Sequence, residues 1–465
     1  MKKNQGKQQI SRRSFMKRGF YAGGASGLLA GLWLSGCSAR VKRRPNILLI
    51  TLDTTRADRL GCYGYDRGTS PNLDQLAAGS VLYTNALATA SSTLPSHASV
   101  FTGKFTTSHG ARRHPEGPLR LTAAIPGPEH WNRYRAFGLS MGETTLASIL
   151  KRAGYETGAV VAGPWLKKVF GLSQGFDYFD DSGISSLNGR IAKDVTASAL
   201  KWLKSRSQAP FFLFLNYFDP HSPYAAPEGF ASRFLPADTH FEAGKPTAEE
   251  LNALYDAEIL YMDSYIGTLL DSLKSEGLYD ETWIIVTADH GELMGEHSRF
   301  GHGDSLTQPE IRIPLFMKYA ADEDAPCRVN TRVQTLDIMP TICEYLKVPV
   351  PKGTQGHVLS NVRHPILAEA YPIEITSSEG HWRALFEQDF KLLWNSKGNH
   401  ALYDLKSDPG ENDNLAQRKP QQVQGMMERL DQYLAVLPKP VRQEKAEEMI
   451  DPETAESLQN LGYIK

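Results

Sequence analysis

Four cysteines in 465 residues are too few for a disulfide framework, and none stand at a spacing that marks a metal cluster. Internal repeats and low-complexity tracts are missing too, which removes the solenoid, fibrous and disordered classes. Long apolar runs are scarce: the Gly/Ala/Leu stretch from Phe20 to Gly36 is short for a bilayer span and rich in glycine. There is also no excess of one charge, since the formal net charge is −1. What remains, with 41% hydrophobic and 22% charged residues, is an ordinary globular composition, long enough for one large domain and a small one.

Acidic residues are absent from the first 36 positions, which carry seven Lys or Arg, all ahead of the weakly apolar stretch. This is the pattern of an export signal. Ser11-Arg12-Arg13-Ser14-Phe15-Met16-Lys17 resembles the twin-arginine motif, and Leu34-Ser35-Gly36-Cys37 resembles a lipoprotein cleavage box with Cys37 as the lipidated residue. Residues 1–37 are therefore expected to be a signal, with an uncleaved anchor as the alternative. Both place the rest of the chain outside the cytoplasm, tethered to a membrane and facing the periplasm or cell surface. Without that segment the formal charge is −8, an acidic balance, so nucleic acid is not an expected partner. Of the remaining cysteines, Cys62, Cys327 and Cys343, the pair Cys327 and Cys343 is nearest in sequence, but buried free thiols are expected.

From Pro45 onward, short β-rich runs alternate with helical stretches, which predicts an α/β protein with a large, mostly parallel sheet flanked by helices. Asn46–Thr51, Thr157–Val161, Phe211–Tyr217 and Trp283–Thr287 are the clearest strands, apolar throughout, as strands covered on both faces must be. Leu251–Leu273 carries apolar residues at helical spacing. His114–Leu139, with four Pro and three Gly, reads as a long surface excursion. After about residue 365 the pattern changes to His381–Trp394 and Leu402–Leu405, strands of a small antiparallel sheet. The expected division is a catalytic domain over 45–365 and a C-terminal subdomain over 366–465.

In an open parallel sheet, functional groups gather beyond the carboxyl ends of the strands. Three predicted strands end in ligand-type residues: Asp53 after the first, Asp219-Pro220-His221 after the third, and Asp289-His290-Gly291-Glu292 after the fourth. One such Asp often only caps a helix; three of them need another explanation. Thr93-Leu94-Pro95 adds a hydroxyl just ahead of a proline suited to a first helical turn, where an anionic ester would meet free backbone N–H groups. A threonine hydroxyl needs a metal or a base to become a nucleophile, and a divalent ion on Asp53, Asp289 and His290 would serve.

Leu52-Asp53-Thr54-Thr55-Arg56-Ala57-Asp58, the run Thr93–Gly103, Asp219–Tyr224, Ala288–Glu292, Ile311-Arg312-Ile313-Pro314 and Leu402–Leu405 resemble the ordered motifs of the sulfatase branch of the alkaline phosphatase superfamily. The resemblance implies Asp53, Asp289 and His290 as metal ligands and Thr93 as a nucleophile that also touches the metal. It implies that His221 binds the ester oxygen or assists the leaving group, and that His302, where sulfatases usually have Lys, faces the same oxyanion. Arg56, His97, His109 and Arg112 are the implied substrate-side residues, with a structural hydrogen bond the alternative for His109 and Arg112.

Four positions depart from the pattern: Thr93 replaces the Cys or Ser that becomes formylglycine, His97 replaces an Arg, Thr54 replaces a second Asp, and His290 stands where Asn is common. The mixed N and O ligand set favours Mn²⁺ or Zn²⁺ over Ca²⁺. One ion is expected; a second would have to use Asp219, His221 and His302. A threonine ester cannot be opened by elimination, as an aldehyde hydrate can, and needs a second attack. That points to hydrolysis or transfer of phosphate mono- or diesters. A sulfuric ester hydrolase without formylglycine and an inactive glycan-binding lipoprotein are the alternatives.

Overall fold

The computed structural model describes residues 44–227, 229–235, 246–320 and 326–440. The expected signal, residues 1–37 with Cys37, lies outside the described residues, as does the end of the expected C-terminal subdomain. Among the described residues no helix is long and apolar enough to cross a membrane.

Eight strands build the central sheet: β1 (Asn46–Leu52), β2 (Val81–Tyr83), β3 (Glu156–Val160), β4 (Tyr178–Asp180), β5 (Phe211–Tyr217), β6 (Thr282–Thr287), β7 (Leu315–Lys318) and β8 (Cys327–Val329). Their order is β8-β2-β7-β6-β1-β5-β3-β4. Only β7 runs against its neighbours, so the sheet is mostly parallel as predicted. Every residue of β1, β5 and β6 is buried, which explains their unbroken hydrophobicity. The predicted strand ends are off by one residue at β1, β3 and β6, where the ladder continues past the apolar run or starts before it.

The long amphipathic segment is the helix Ala248–Ser275, started by a capping box between Thr247 and Glu250. Beside it, Ala192–Ser205 covers the same side of the sheet. The expected excursion 114–139 is more ordered than its Pro/Gly content suggests. Arg112–Arg113, Leu119–Arg120 and Arg135–Phe137 form a three-stranded sheet, and Leu121, Ile125, Ala136 and Leu139 are buried beneath it.

From Ile366 the chain forms a four-stranded antiparallel sheet of Ile366–Ala370, Trp382–Glu387, Phe390–Asn395 and Ala401–Asp404. One face packs against the helix Pro420–Val436 through Leu367, Leu385, Leu392, Leu402, Met426 and Leu430. Phe105 and Leu336 join the same cluster, so this apolar layer is continuous with the larger unit. Cys62, Cys327 and Cys343 are free thiols, as expected, although only Cys343 is buried.

A buried charge pair also joins the small antiparallel sheet to residues 306 and 308. Lys391 donates to Glu411 Oε1 at 2.6 Å and to the Leu306 carbonyl, and neither side chain is exposed. Glu411 Oε2 accepts the Gln308 N–H at 2.7 Å. The pair therefore fixes the segment that follows His302. Breaking a buried pair leaves one charge uncompensated, at about 3–5 kcal/mol, whereas neutralising both sides costs far less. Glu411→Gln is expected to lower the thermal midpoint by several degrees and Lys391→Met/Glu411→Gln to recover most of it; equal losses in the two proteins would show that the pair is not coupled.

Candidate active site

β6, β1 and β5 are adjacent and parallel, so the residues just past their carboxyl ends fall into one crevice. The Asp53 N–H donates to the Tyr217 carbonyl at 2.8 Å, continuing the β1–β5 ladder by one residue and setting the height of the carboxylate. Thr54 then adopts a left-handed conformation, φ 52°, which a β-branched residue avoids. Four contacts hold it there: its N–H donates to Asp289 Oδ1 at 3.2 Å, its hydroxyl lies 2.8 Å from the Asp53 carbonyl and 2.7 Å from that of Pro220, and its carbonyl accepts the Tyr255 hydroxyl. The strain, about 1–3 kcal/mol, is retained where it aims two carboxylates at one point. Thr54 spends its hydroxyl on backbone carbonyls and brings no third carboxylate.

Thr93 opens the helix Thr93–Thr102, all ten residues of which are buried. The cap residue is Ser92, so Thr93 is the first helical residue and Pro95 the third, one position further in than the sequence suggested. At the other end Gly103, φ 63°, closes the helix where a Cβ would lie 2.7 Å from Met339. Thr93 Oγ1 is 3.4 Å from His290 Nε2. The Ser96 hydroxyl donates to the Asp289 carbonyl at 2.6 Å, locking the helix to the end of β6.

Asp289 Oδ1 accepts the N–H groups of Thr54 and His290, whereas its Oδ2 has no hydrogen-bond partner. Asp53 Oδ2 accepts only a long bond from Asn216 Nδ2 at 3.4 Å, and its Oδ1 has no partner. His290 Nδ1 donates to the Gly291 carbonyl at 2.9 Å, which leaves the Nε2 lone pair free. One ligand atom each from Asp53, Asp289 and His290 lies within 4.8 Å of the others. Burial, and then the charge of Asp289, raises the Asp53 carboxyl well above its ordinary value, and burial raises Asp289 as well. Two buried, unpaired carboxylate oxygens beside a free imidazole nitrogen fit a divalent cation, which reverses both shifts.

Gly291 lets the chain pass close to the segment at residue 309: a Cβ there would lie 2.1 Å from the Pro309 carbonyl. Beyond it, Leu293–Met294 pairs antiparallel with Phe300–Gly301, which sets Glu292 opposite His302. His302 Nδ1 is 3.0 Å from Glu292 Oε1, and the His302 ring centroid is 4.4 Å from that of His290 and 5.0 Å from that of His221. His221 is stacked on Phe218 at 4.2 Å, with its Nδ1 2.6 Å from the Ser222 carbonyl. Burial, then His302, lowers the His221 pKa to about 3; burial, then Arg113, lowers that of His302 to about 3. Burial pushes Glu292 up to about 7.

The other sequence candidates are placed differently. His97 is wholly buried below Thr93, with Nδ1 2.8 Å from the Thr93 carbonyl and Nε2 2.9 Å from Thr51 Oγ1, so both nitrogens support the helix and neither faces substrate. Arg56 grips Asp58 with two nitrogens and Glu296 with a third, at 2.6 to 2.9 Å, and braces the site from behind. His109 has no free nitrogen, since Nδ1 accepts the Ala111 N–H and Nε2 bonds Ser99 Oγ. Arg112 lies over the Tyr371 ring at 4.7 Å. Asp219 accepts the Ala192 N–H at 2.8 Å and starts a helix. Among the described residues only Asp53, Asp289 and His290 form a group of three possible ligands, so the set considered for a second ion is not assembled.

Sequence reasoning missed Asn216, which bridges Thr51 and Asp53, and Arg113, buried against Gly303 and Asp304 beneath His302. Asn216 carried a signal: it is a polar residue inside an apolar strand. Glu292 was quoted within its motif without a role.

A family model described as "Sulfatase" matches residues 45–348, and one described as "N-sulphoglucosamine sulphohydrolase, C-terminal" matches residues 295–438. The uncharacterized sulfatase YidJ of Escherichia coli is 25% identical over 80% of this chain and 83% of its own length. An ulvan-active sulfatase of Formosa agariphila is 24% identical over 83% of this chain and 82% of its own. The crystal structure of a phosphonate monoester hydrolase of Agrobacterium radiobacter superposes with a TM-score of 0.68 at 20% identity, covering 84% of this chain and 96% of that one, a likeness of fold.

Two outcomes test the site. Adding a divalent cation to chelator-treated protein is expected to raise the thermal midpoint, and Asp289→Asn to abolish the rise; an undiminished rise in the variant would place the ion elsewhere. Burial, then Lys104 and Arg112, lowers the His109 pKa to about 3, whereas the unfolded chain protonates this residue near 6.5. Its contribution to stability is thus full above pH 6.5 and is lost as pH falls toward 3, by at most about 1.4 kcal/mol per pH unit. Denaturant titrations at several pH values are expected to show a shallower acid loss for His109→Gln; an unchanged slope refutes the assignment.

Proposed function

The chain belongs to the sulfatase family of hydrolases, and from that membership we propose that it cleaves or transfers phosphate mono- and diesters with Thr93 as the nucleophile. The observation that carries this reading is the placement of the Thr93 hydroxyl at the first turn of a buried helix, 3.4 Å from His290 Nε2 and beside the unpaired oxygens of Asp53 and Asp289. A threonine cannot become the aldehyde on which sulfate release by elimination depends. Its ester must be opened by a second attack, which is ordinary chemistry at phosphorus.

Asp53, Asp289 and His290 would hold one divalent ion, Mn²⁺ or Zn²⁺ by the mixed donor set, with Thr93 Oγ1 as a further ligand. The chemistry such an ion supplies is a lowered pKa for the Thr93 hydroxyl and polarised non-bridging oxygens of the ester. The residues of the chain do the rest. The first-turn N–H groups and the positive helix end favour the ester anion at Oγ1, and His221 and His302 line the side from which the leaving oxygen departs. As the bond from Oγ1 to phosphorus forms, the bond to the leaving oxygen breaks; water or an alcohol then attacks phosphorus and frees Thr93.

A second reading, sulfuric ester hydrolysis through the same hydroxyl, is supported by the sulfatase relatives. The ulvan-active relative also suggests an anionic ester on a glycan as the natural substrate, which a membrane tether through Cys37 would meet in the cell envelope. The unpaired buried carboxylates argue against an inactive binding protein, in which they would only destabilise.

The test is turnover of matched nitrophenyl phosphate, phosphodiester and sulfate esters by Mn²⁺- or Zn²⁺-loaded protein beside Thr93→Ala. Faster cleavage of the phosphorus esters, reduced on the order of 10³-fold or more in the variant, is expected. A preference for the sulfate ester moves the protein to the second reading, and unchanged turnover by Thr93→Ala would falsify both.

A further inference from the structure

We propose that Glu292 is a positioning residue that makes His302 the general base of the second step, the attack that frees Thr93. The proposal rests on the reading of Thr93 as a nucleophile whose ester needs that step. Glu292 is fully buried, and the Leu293–Met294 and Phe300–Gly301 ladder sets it opposite His302. Its Oε1 is 3.0 Å from His302 Nδ1. In its ionised form Glu292 can only accept there, so Nδ1 then carries the proton and the lone pair of Nε2 is left for the crevice. The His302 side chain is 16% exposed, at the mouth of the crevice, while Glu292 beneath it is not exposed at all.

The loop that carries His302 is held from its other side as well. The Gly303 N–H donates to Glu310 Oε1 at 3.1 Å, the Thr307 N–H donates to Glu310 Oε2 at 3.3 Å, and Arg113 donates to the Gly303 carbonyl. The imidazole thus has one tautomer and one orientation. It sits 4.4 Å, ring to ring, from His290, which is itself 3.4 Å from Thr93 Oγ1. A carboxylate that orients an imidazole whose far nitrogen takes a proton is the relation by which many esterases activate the water that opens a covalent ester.

The step balances as follows. The oxygen of water or an alcohol bonds to phosphorus while its proton passes to His302 Nε2, and the bond from phosphorus to Thr93 Oγ1 breaks. The imidazolium then returns that proton to the Thr93 oxygen, and His302 ends neutral. Nothing is oxidised or reduced, and no co-reactant other than the acceptor is consumed.

The experiment is rapid-mix turnover of nitrophenyl phosphate by the full-length, cation-loaded protein, by Glu292→Gln and Glu292→Ala, and by His302→Ala. Each sample is quenched and searched by mass spectrometry for phosphate on Thr93, with thermal midpoint and bound metal measured in parallel. The variants are expected to release a first equivalent of nitrophenol in a burst and then to turn over on the order of 10²-fold more slowly. Phosphothreonine 93 should accumulate, and added imidazole should restore His302→Ala in part. Slow turnover without the adduct, or unchanged turnover, overturns the proposal. Wild-type activity that survives Thr93→Ala overturns the reading beneath it instead, so the two failures are distinct.

Discussion

Asp53 Oδ1 and Asp289 Oδ2 are buried without a hydrogen bond at the ends of two hydrogen-bonded parallel strands, and much of the surrounding structure exists to hold them there. Without a cation they repel each other and resist ionisation. The ladder gives Asp53 its height, the left-handed Thr54 turns its N–H to Asp289, and the Ser96 hydroxyl pins the nucleophile helix to the same strand end. His97 adds a strut beneath, from the Thr93 carbonyl to Thr51, and Asn216 ties Thr51 to Asp53. Each of these contacts is weak alone. Together they fix two carboxylates, an imidazole nitrogen and a hydroxyl around one point.

A second layer of support comes from farther along the chain. The segment from His302 to Gln308 buries Leu306 in the core and is further positioned by Glu310, Arg113 and the Lys391–Glu411 pair. Lys391 belongs to the small antiparallel sheet, so that sheet acts on the site by anchoring this segment. A buried ion pair is a poor source of stability. Here it has a geometric use, because each partner also holds a backbone group of the segment that follows His302.

How much of this the sequence showed depends on the physical scale of each feature. The apolar strands were legible because burial on both faces demands near-continuous hydrophobicity, and the residues Asp53, Asp289 and His290 followed from their place just beyond those strands. The family resemblance ordered them correctly. Pattern could not show the conformation of Thr54, since nothing local favours a left-handed threonine; three partners distant in sequence impose it. Neither could it separate a histidine that faces substrate from one that braces a helix, so His97 was placed on the substrate side and His109 left between the two roles, although each has both nitrogens engaged. Asp219 looked like a ligand and instead accepts the first N–H of a helix that precedes its strand, a partner that no local pattern shows. The Pro/Gly-rich stretch 114–139 concealed a three-stranded sheet because strands of two or three residues leave almost no periodicity to read.

The exchange of an aldehyde-forming residue for Thr93 changes what the rest of the crevice must do. An aldehyde hydrate carries its own means of release, so the surrounding residues need only bind the ester and receive the leaving group. A threonine ester is inert until a second nucleophile is activated. That requirement falls on groups placed at the mouth of the crevice, where the acceptor enters. His302 occupies that place, with its orientation fixed by a buried carboxylate two residues past His290. Where the family usually has a flexible lysine whose charge alone matters, an imidazole contributes only if one chosen nitrogen points inward, and a fixed partner is then a necessity. On the mechanism proposed for Thr93, the departures at positions 93 and 302 are in this sense one change: the loss of self-release at the nucleophile would be matched by a proton acceptor at the entrance.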